Sequence, residues 1–349
     1  MHSKIFMADT RHSVSSQPRP KSTIGPSRRY APEAFSETDK YMLDSAYARN
    51  HTLRPPFHSP SINMKSTVIV LALVFSVVPS AVTVSAEPLK INGSTTVNLP
   101  VAEAAEILRA EQKMDIQVDV QGGSSGGISM LGEGLVQMGM TSKHVSAADR
   151  AKFPKCDFVE THIGEDAVAL IVSKDVWESG VKALSKEQIA GIYEGRIKNW
   201  KDVGGPNRRI AFFNKEPGRG TWEVFVHWLY GGAKKAPPVS FPEVGGNEET
   251  RNKVASTMGA LSQLSSSWAD GRKVFALSLK VDAKDIPPTN EKIATGDYPL
   301  RRPLFVLTNG KPTGGAKTMV DFLLSDRGQE LVKKHGYLKL SELMTPEVK

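Results

Sequence analysis

The 349-residue chain has a single cysteine, Cys156. That excludes an intrachain disulfide and any cysteine metal cluster, and the lone thiol is given no role. Histidines are few and dispersed: His144, His162, His227 and His335 show no metal-ligand spacing, so neither a zinc site nor another metal cofactor is expected. Long apolar runs are missing as well. The longest, Val68 to Val78 broken only by Ser76, falls well short of the roughly 20 residues a membrane span needs, so no stable span is expected. Aromatic residues make up only 7% of the chain and nowhere interleave with a dense basic stripe, which argues against a nucleic-acid partner.

What is present begins with an unusual N-terminal quarter. Residues 1–63 are rich in Ser, Pro, His and Arg without an apolar period, and read as disordered. Next come Met64-Lys65, the apolar run, Pro79, and Val84-Ser85-Ala86 ahead of Glu87, which together read as a cleavable secretory signal over residues 64–86. A signal's charged region opens a precursor, so translation is expected to start at Met64 and the remainder to be exported. Removing residues 1–86 takes away 10 of 45 Lys and Arg and 5 of 37 Asp and Glu. The balance of 35 against 32 is a net charge of only +3, too small to imply a polyanion partner.

Beyond Glu87 one pattern recurs. The alternating run Ile116 to Val120 leads into Gln121-Gly122-Gly123-Ser124-Ser125-Gly126-Gly127 and then the apolar-patterned Ile128 to Val136, which predicts strand, glycine-rich turn, helix. Lys90-Ile91-Asn92-Gly93 precedes Ser94-Thr95-Thr96 and a helical stripe with Val101, Ala105 and Leu108 in the same order. A third copy runs from Ile210 to Phe213 through Asn214 to Thr221 into the face formed by Phe225, Val226 and Leu229. Glycines let the backbone approach a ligand, and the first N–H groups of each helix lack intrahelical acceptors, so such turns suit an anion. Between them, Met138 to Lys143 reads as a strand end with hydroxyls, and Asp166 to Ser173 as a fully buried strand. Strands and helices alternate to the C-terminus, which predicts an α/β fold; residues 285–296 read as loop.

Gly93-Ser94-Thr95-Thr96, Gly123 to Gly127, Gly139-Met140-Thr141-Ser142, Ile192 to Trp200 and Gly218-Arg219-Gly220-Thr221 occur in that order. Together with Tyr298 to Leu304 they resemble the phosphate-binding protein of bacterial ABC transporters, from about residue 89 to the C-terminus. The resemblance implies a type II periplasmic binding protein with two α/β lobes joined by two crossover strands and a ligand cleft between them. Lobe one would comprise residues 87–167 and 297–349, lobe two residues 168–296. It further implies a periplasmic protein that is not an enzyme, and that delivers inorganic phosphate to the permease of an ABC transporter.

By the family's pattern Ser94, Thr95, Thr96, Ser124, Ser125 and Ser142 would contact ligand from lobe one, and Lys215, Arg219, Gly220 and Thr221 from lobe two. Two positions depart from it. The family usually has Arg where Lys215 stands and Ser where Arg219 stands, so the guanidinium clamp is expected to pass to Arg219. Many members have Asp where Ser142 stands; its carboxylate accepts the proton of hydrogen phosphate, and its loss predicts weaker discrimination against sulfate. Another tetrahedral oxyanion is therefore the alternative ligand. A rival from a different class is a secreted serine hydrolase, because Gly122 to Gly126 fits G-x-S-x-G with Ser124 as nucleophile. It would need Asp270 or Asp297 with His335, and no HGGG-type oxyanion segment accompanies it.

Overall fold

The computed structural model describes residues 87–343; the segments read as disordered and as a signal peptide lie outside the described residues. The first elements are β1 (Leu89–Gly93), α1 (Asn98–Gln112), β2 (Ile116–Asp119), α2 (Gly123–Gly132), β3 (Met138–Thr141), α3 (Ala147–Lys152) and the long β4 (Phe158–Ser173). They are followed by α4 (Lys174–Glu178), β5 (Ala183–Ser185), α5 (Lys186–Tyr193), β6 (Ala211–Lys215), α6 (Gly220–Tyr230), β7 (Glu243–Val244), α7 (Asn247–Ser256) and β8 (Ala260–Ser265). The last are β9 (Val274–Ala276), β10 (Ser278–Val281), β11 (Lys284–Ile286), α8 (Asn290–Ala294), β12 (Arg301–Asn309), α9 (Gly314–Leu324) and α10 (Asp326–Lys334).

One sheet runs through the protein in the order β2-β1-β3-β12-β4-β8-β6-β7, with β9 beside β4. Strand β1 lies parallel to β2 and β3, and β6 parallel to β7 and β8, so each half of the sheet has strands ending in helix N-termini. The two halves meet on β4. Its residues 158–167 pair antiparallel with β12, whereas Val168–Val172 pair antiparallel with β8. Two long antiparallel strands thus connect two α/β lobes, as the resemblance implies.

The apolar pattern explains the layering. Val101, Ala104, Ala105 and Leu108 form one stripe of α1 and pack with Leu89, Ile91, Leu304, Val306, Met319 and Val332. A second cluster on this side joins Ile128, Leu131, Phe158 and Leu307 with Cys156, whose thiol is pushed up in pKa by burial. Along β4, Val168, Leu170 and Val172 enter the cluster of Ile192, Phe212 and Phe225, while Ala169 and Ile171 enter that of Val254 and Leu264. Alternate residues therefore face two different cores, which is why this run is apolar throughout instead of alternating. Each fully buried aliphatic side chain here contributes about 1.5–3 kcal/mol.

Two expectations change. The helix after the glycine-rich turn starts at Gly123 and not after Gly127. A Cβ on Gly126 would lie 2.0 Å from the Gln121 carbonyl oxygen, and one on Gly127 would lie 2.6 Å from that of Met140. These glycines let α2 rest directly on the ends of β1 and β3, so they serve packing as well as the turn. Residues 285–296, read as loop, hold the end of β11 and the helix α8, which Thr289 caps by accepting from the Lys292 N–H.

Candidate functional site

Five strand ends converge. The turns β1–α1, β2–α2 and β6–α6, the end of β3 and the turn β7–α7 together enclose a tight cavity of about 10 Å³. Its walls are Ser94, Thr95, Thr96, Gly123, Ser124, Ser142, Lys215, Arg219, Gly220, Thr221, Gly245 and Asn247. This is the place open α/β sheets offer a ligand, beyond the carboxyl ends of their strands. The space is far below the roughly 300–1,000 Å³ of pockets that take drug-sized molecules, so only a very small ligand fits between these turns.

Each turn is held by its neighbours. Asn92, fully buried at the end of β1, accepts from the Gln121 N–H at 2.9 Å and donates to the Gln121 carbonyl at 3.0 Å, fixing the turn ahead of α2. Ser94 Oγ accepts from the N–H groups of Thr96 and Val97, which orders the turn ahead of α1. Tyr337 braces the same turn by donating to the Thr96 carbonyl at 3.0 Å. From the other half, Gln263 accepts from the Lys215 N–H and donates to Asn214 Oδ1, setting the end of β6.

The hydroxyls form one connected layer. Ser142 Oγ is 3.2 Å from Ser94 Oγ and 3.3 Å from Ser124 Oγ. Behind them stands Arg302, which is 1% exposed. Its guanidinium donates to Ser142 Oγ at 3.3 Å, Thr221 Oγ1 at 2.9 Å and Thr96 Oγ1 at 3.1 Å, and pairs with Asp166 at 2.7 Å. A hydroxyl that accepts from a guanidinium keeps its own hydrogen free to donate elsewhere. Arg302 therefore turns three neutral hydroxyls into donors available to the cavity. The Asp166 carboxylate accepts on its other oxygen from Ser265 and Ser266, so the ion pair presents its positive end to the hydroxyl layer.

Two further cations line the space. Arg219 is paired with Glu216 at 2.8 Å and lies against Gly123, where a Cβ would come within 2.6 Å of its Cδ. Lys215, 1% exposed, donates to the carbonyls of Gly245 at 2.7 Å and Gly246 at 3.0 Å and has Asn247 Oδ1 at 3.4 Å. Burial, reinforced by Arg219 and Arg302, holds its pKa well below the ordinary 10.5, against the opposing pull of Glu249 and Glu216. Carboxylates near the cavity are engaged elsewhere: Asp166 on Arg302, Glu216 on Arg219, and Glu249 on the Gly245 N–H. None of them is in the wall.

Known proteins are similar to this chain in sequence and fold. A profile of the PBP superfamily domain matches residues 78–327. The phosphate-binding protein PstS of Bacillus subtilis (strain 168) is 33% identical over 261 residues, covering 73% of this chain and 81% of that protein. The chain belongs to the PstS phosphate-binding protein family. A crystal structure from Clostridium perfringens, described as a phosphate ABC transporter substrate-binding protein with bound phosphate, is 28% identical with a TM-score of 0.65. That alignment covers 73% of this chain and all of the other. An ABC-type phosphate transport receptor from Vibrio cholerae is 27% identical with a TM-score of 0.57, over 72% of this chain and 99% of the other.

In this PstS relative, nine of the ten residues singled out in the sequence line the cavity, and Ser125 does not. Its Oγ lies 3.4 Å from a Glu223 oxygen, and its N–H donates to the Gly218 carbonyl. The hydrolase reading loses its partners. Ser124 Oγ has Ser142 as neighbour, whereas Asp270 pairs with Arg251, Asp297 with Lys292, and His335 lies 3.0 Å from Glu103. Arg302, Asp166 and the Gly245-Gly246-Asn247 turn were missed. The turn repeats the glycine-then-polar grammar of the other three, and Asn247 Nδ2 donates to Thr96 Oγ1 at 3.0 Å across the cleft.

Proposed function

We propose that the protein is an exported solute-binding protein that captures inorganic phosphate and hands it to the permease of an ABC transporter. The lobes are residues 87–167 with 297–349, and residues 168–296, and the ligand contacts are Ser94, Thr95, Thr96, Ser124, Ser142, Lys215, Arg219, Gly220 and Thr221. One observation carries the reading: strand ends from both halves meet at a single small cavity walled by hydroxyls, cations and helix N-termini. Hydrogen bonds to a charged group are worth roughly 1.5–3 kcal/mol each, so several of them support micromolar or tighter binding. Hinge closure around ligand is well known for periplasmic binding proteins and is inherited here from the family. No helix among the described residues is long and apolar enough to cross a membrane.

Isothermal titration with phosphate tests the reading directly. A one-to-one complex of micromolar or lower Kd is expected, and no heat at millimolar phosphate overturns it. Sequencing the N-terminus of the exported form is expected to begin at Glu87.

Lys215 gives the binding a pH signature. Its proton is held more loosely than on an exposed lysine, and an anion in the cavity tightens it. Between the lowered pKa of the empty site and the higher one of the loaded site, binding therefore takes up a proton, and affinity falls as pH rises through that window. Titrations in buffers of differing ionisation enthalpy, at alkaline pH where phosphate is already the dianion, are expected to show this uptake. Lys215→Met is expected to remove it; equal uptake in both proteins contradicts the assignment.

A further inference from the structure

Beside the cavity runs a seam of contacts that joins the two lobes without entering it. Lys143 follows Ser142 at the end of β3, and its ammonium donates to both carboxylate oxygens of Glu223, at 2.7 and 2.8 Å. Glu223 belongs to the first turn of α6, on the other lobe. The Lys143 side chain is only 10% exposed and that of Glu223 30%. Asp149, the other carboxylate facing Lys143, stands off at 3.9 Å. The Lys143 backbone is fixed by Thr141, whose Oγ1 accepts from the Lys143 N–H and donates to the Lys143 carbonyl. Nearby, the Ser125 N–H donates to the Gly218 carbonyl across the cleft at 3.1 Å.

Lys143, Glu223, Ser125 and Gly218 are all outside the cavity wall, yet Lys143, Ser125 and Gly218 are each one position from a residue in it, and Glu223 is two. The seam thus has the register of the site and none of its ligand contacts. A bond between groups on different lobes exists only while the lobes are together, whereas the phosphate contacts of either lobe alone do not depend on it. A contact made in one state and not the other shifts the balance between them by its own free energy.

We propose that the Lys143–Glu223 pair is an interlobe latch that sets how long the closed cleft keeps its anion, through positioning of the lobes and without touching the ligand. This rests on the phosphate reading above. A latch stabilises the closed form of the loaded protein, so its loss appears chiefly in release, and the apparent affinity falls with the population of the closed state. The acidic partner also suits its place, since Glu223 complements the positive end of α6.

Stopped-flow phosphate release separates this from a merely structural role. Lys143→Met and Glu223→Gln are each expected to release phosphate about tenfold faster, the size of change that follows when one partly buried charged pair is broken. The double variant is expected to release no faster than either single one, because a broken latch cannot be broken again. Lys143→Arg, which keeps the charge, is expected to stay near the parent. Single variants releasing at the parental rate overturn the latch, and so does a double variant whose effect is the product of the two. A parent that shows no phosphate binding overturns the functional reading, and the latch falls with it.

Discussion

Arg302→Ala is expected to weaken phosphate binding roughly a thousandfold and to destabilise the fold by about 3–5 kcal/mol. Both effects follow from one guanidinium with two duties. Its removal leaves Asp166 buried without a cation, and the lost pairing of a buried charge accounts for the stability change. It also frees Thr96, Thr221 and Ser142 to turn their hydrogens toward one another, so the cavity loses committed donors. Changing both partners, Arg302→Met with Asp166→Asn, separates the duties: most of the stability is expected to return while binding stays weak. Arg302→Lys keeps the charge but cannot hold Asp166 and three hydroxyls at once, so an intermediate affinity is expected. Urea midpoints and titration calorimetry read the two quantities independently. Parental affinity in Arg302→Ala would remove Arg302 from the site.

This arginine also marks where reading the sequence stops. Turns built from glycine and hydroxyl residues are legible because their chemistry is local: Ser94 to Thr96, Gly123-Ser124 and Gly220-Thr221 need no knowledge of pairing to be noticed. Their convergence became legible only through the resemblance, since no local rule brings residue 95 to residue 221. Arg302 sits at an inward position of β12, between buried Leu300 and Leu304, and a charge at such a position is the available signal. What it does depends on its register partner Asp166 on β4, and register is long-range information.

The second limit concerns which atoms a side chain satisfies. Lys215 and Arg219 were both expected to grip the ligand, and Arg219 to replace the family's usual arginine. Both line the cavity, but Lys215 also carries the β7–α7 turn on its ammonium, and Arg219 is shared with Glu216. Residue type gave the charge correctly and could not give the competing acceptors. Ser125 shows the converse. It is adjacent to Ser124, but a helix turns successive side chains by about 100°, so it faces the Lys143–Glu223 seam and not the cavity.

Sulfate is expected to compete with phosphate, binding within about a hundredfold of it. A site that offers a carboxylate to the proton of hydrogen phosphate leaves that carboxylate buried and unpaired when sulfate enters. Mismatches of that kind are worth about 10⁴–10⁵ in selectivity. Here the position the family often gives to Asp is Ser142, and Asp166, Glu216 and Glu249 are already committed to Arg302, Arg219 and the Gly245 N–H. The Ser124 hydroxyl, which Arg302 does not bind, accepts a hydrogen bond from hydrogen phosphate or rotates to donate one to sulfate, so neither anion leaves a group unmatched. Competition calorimetry, titrating phosphate into protein preloaded with sulfate, measures the ratio. Phosphate binding unchanged by sulfate at 10⁴-fold excess would show that another group in the closed cleft supplies the missing acceptor.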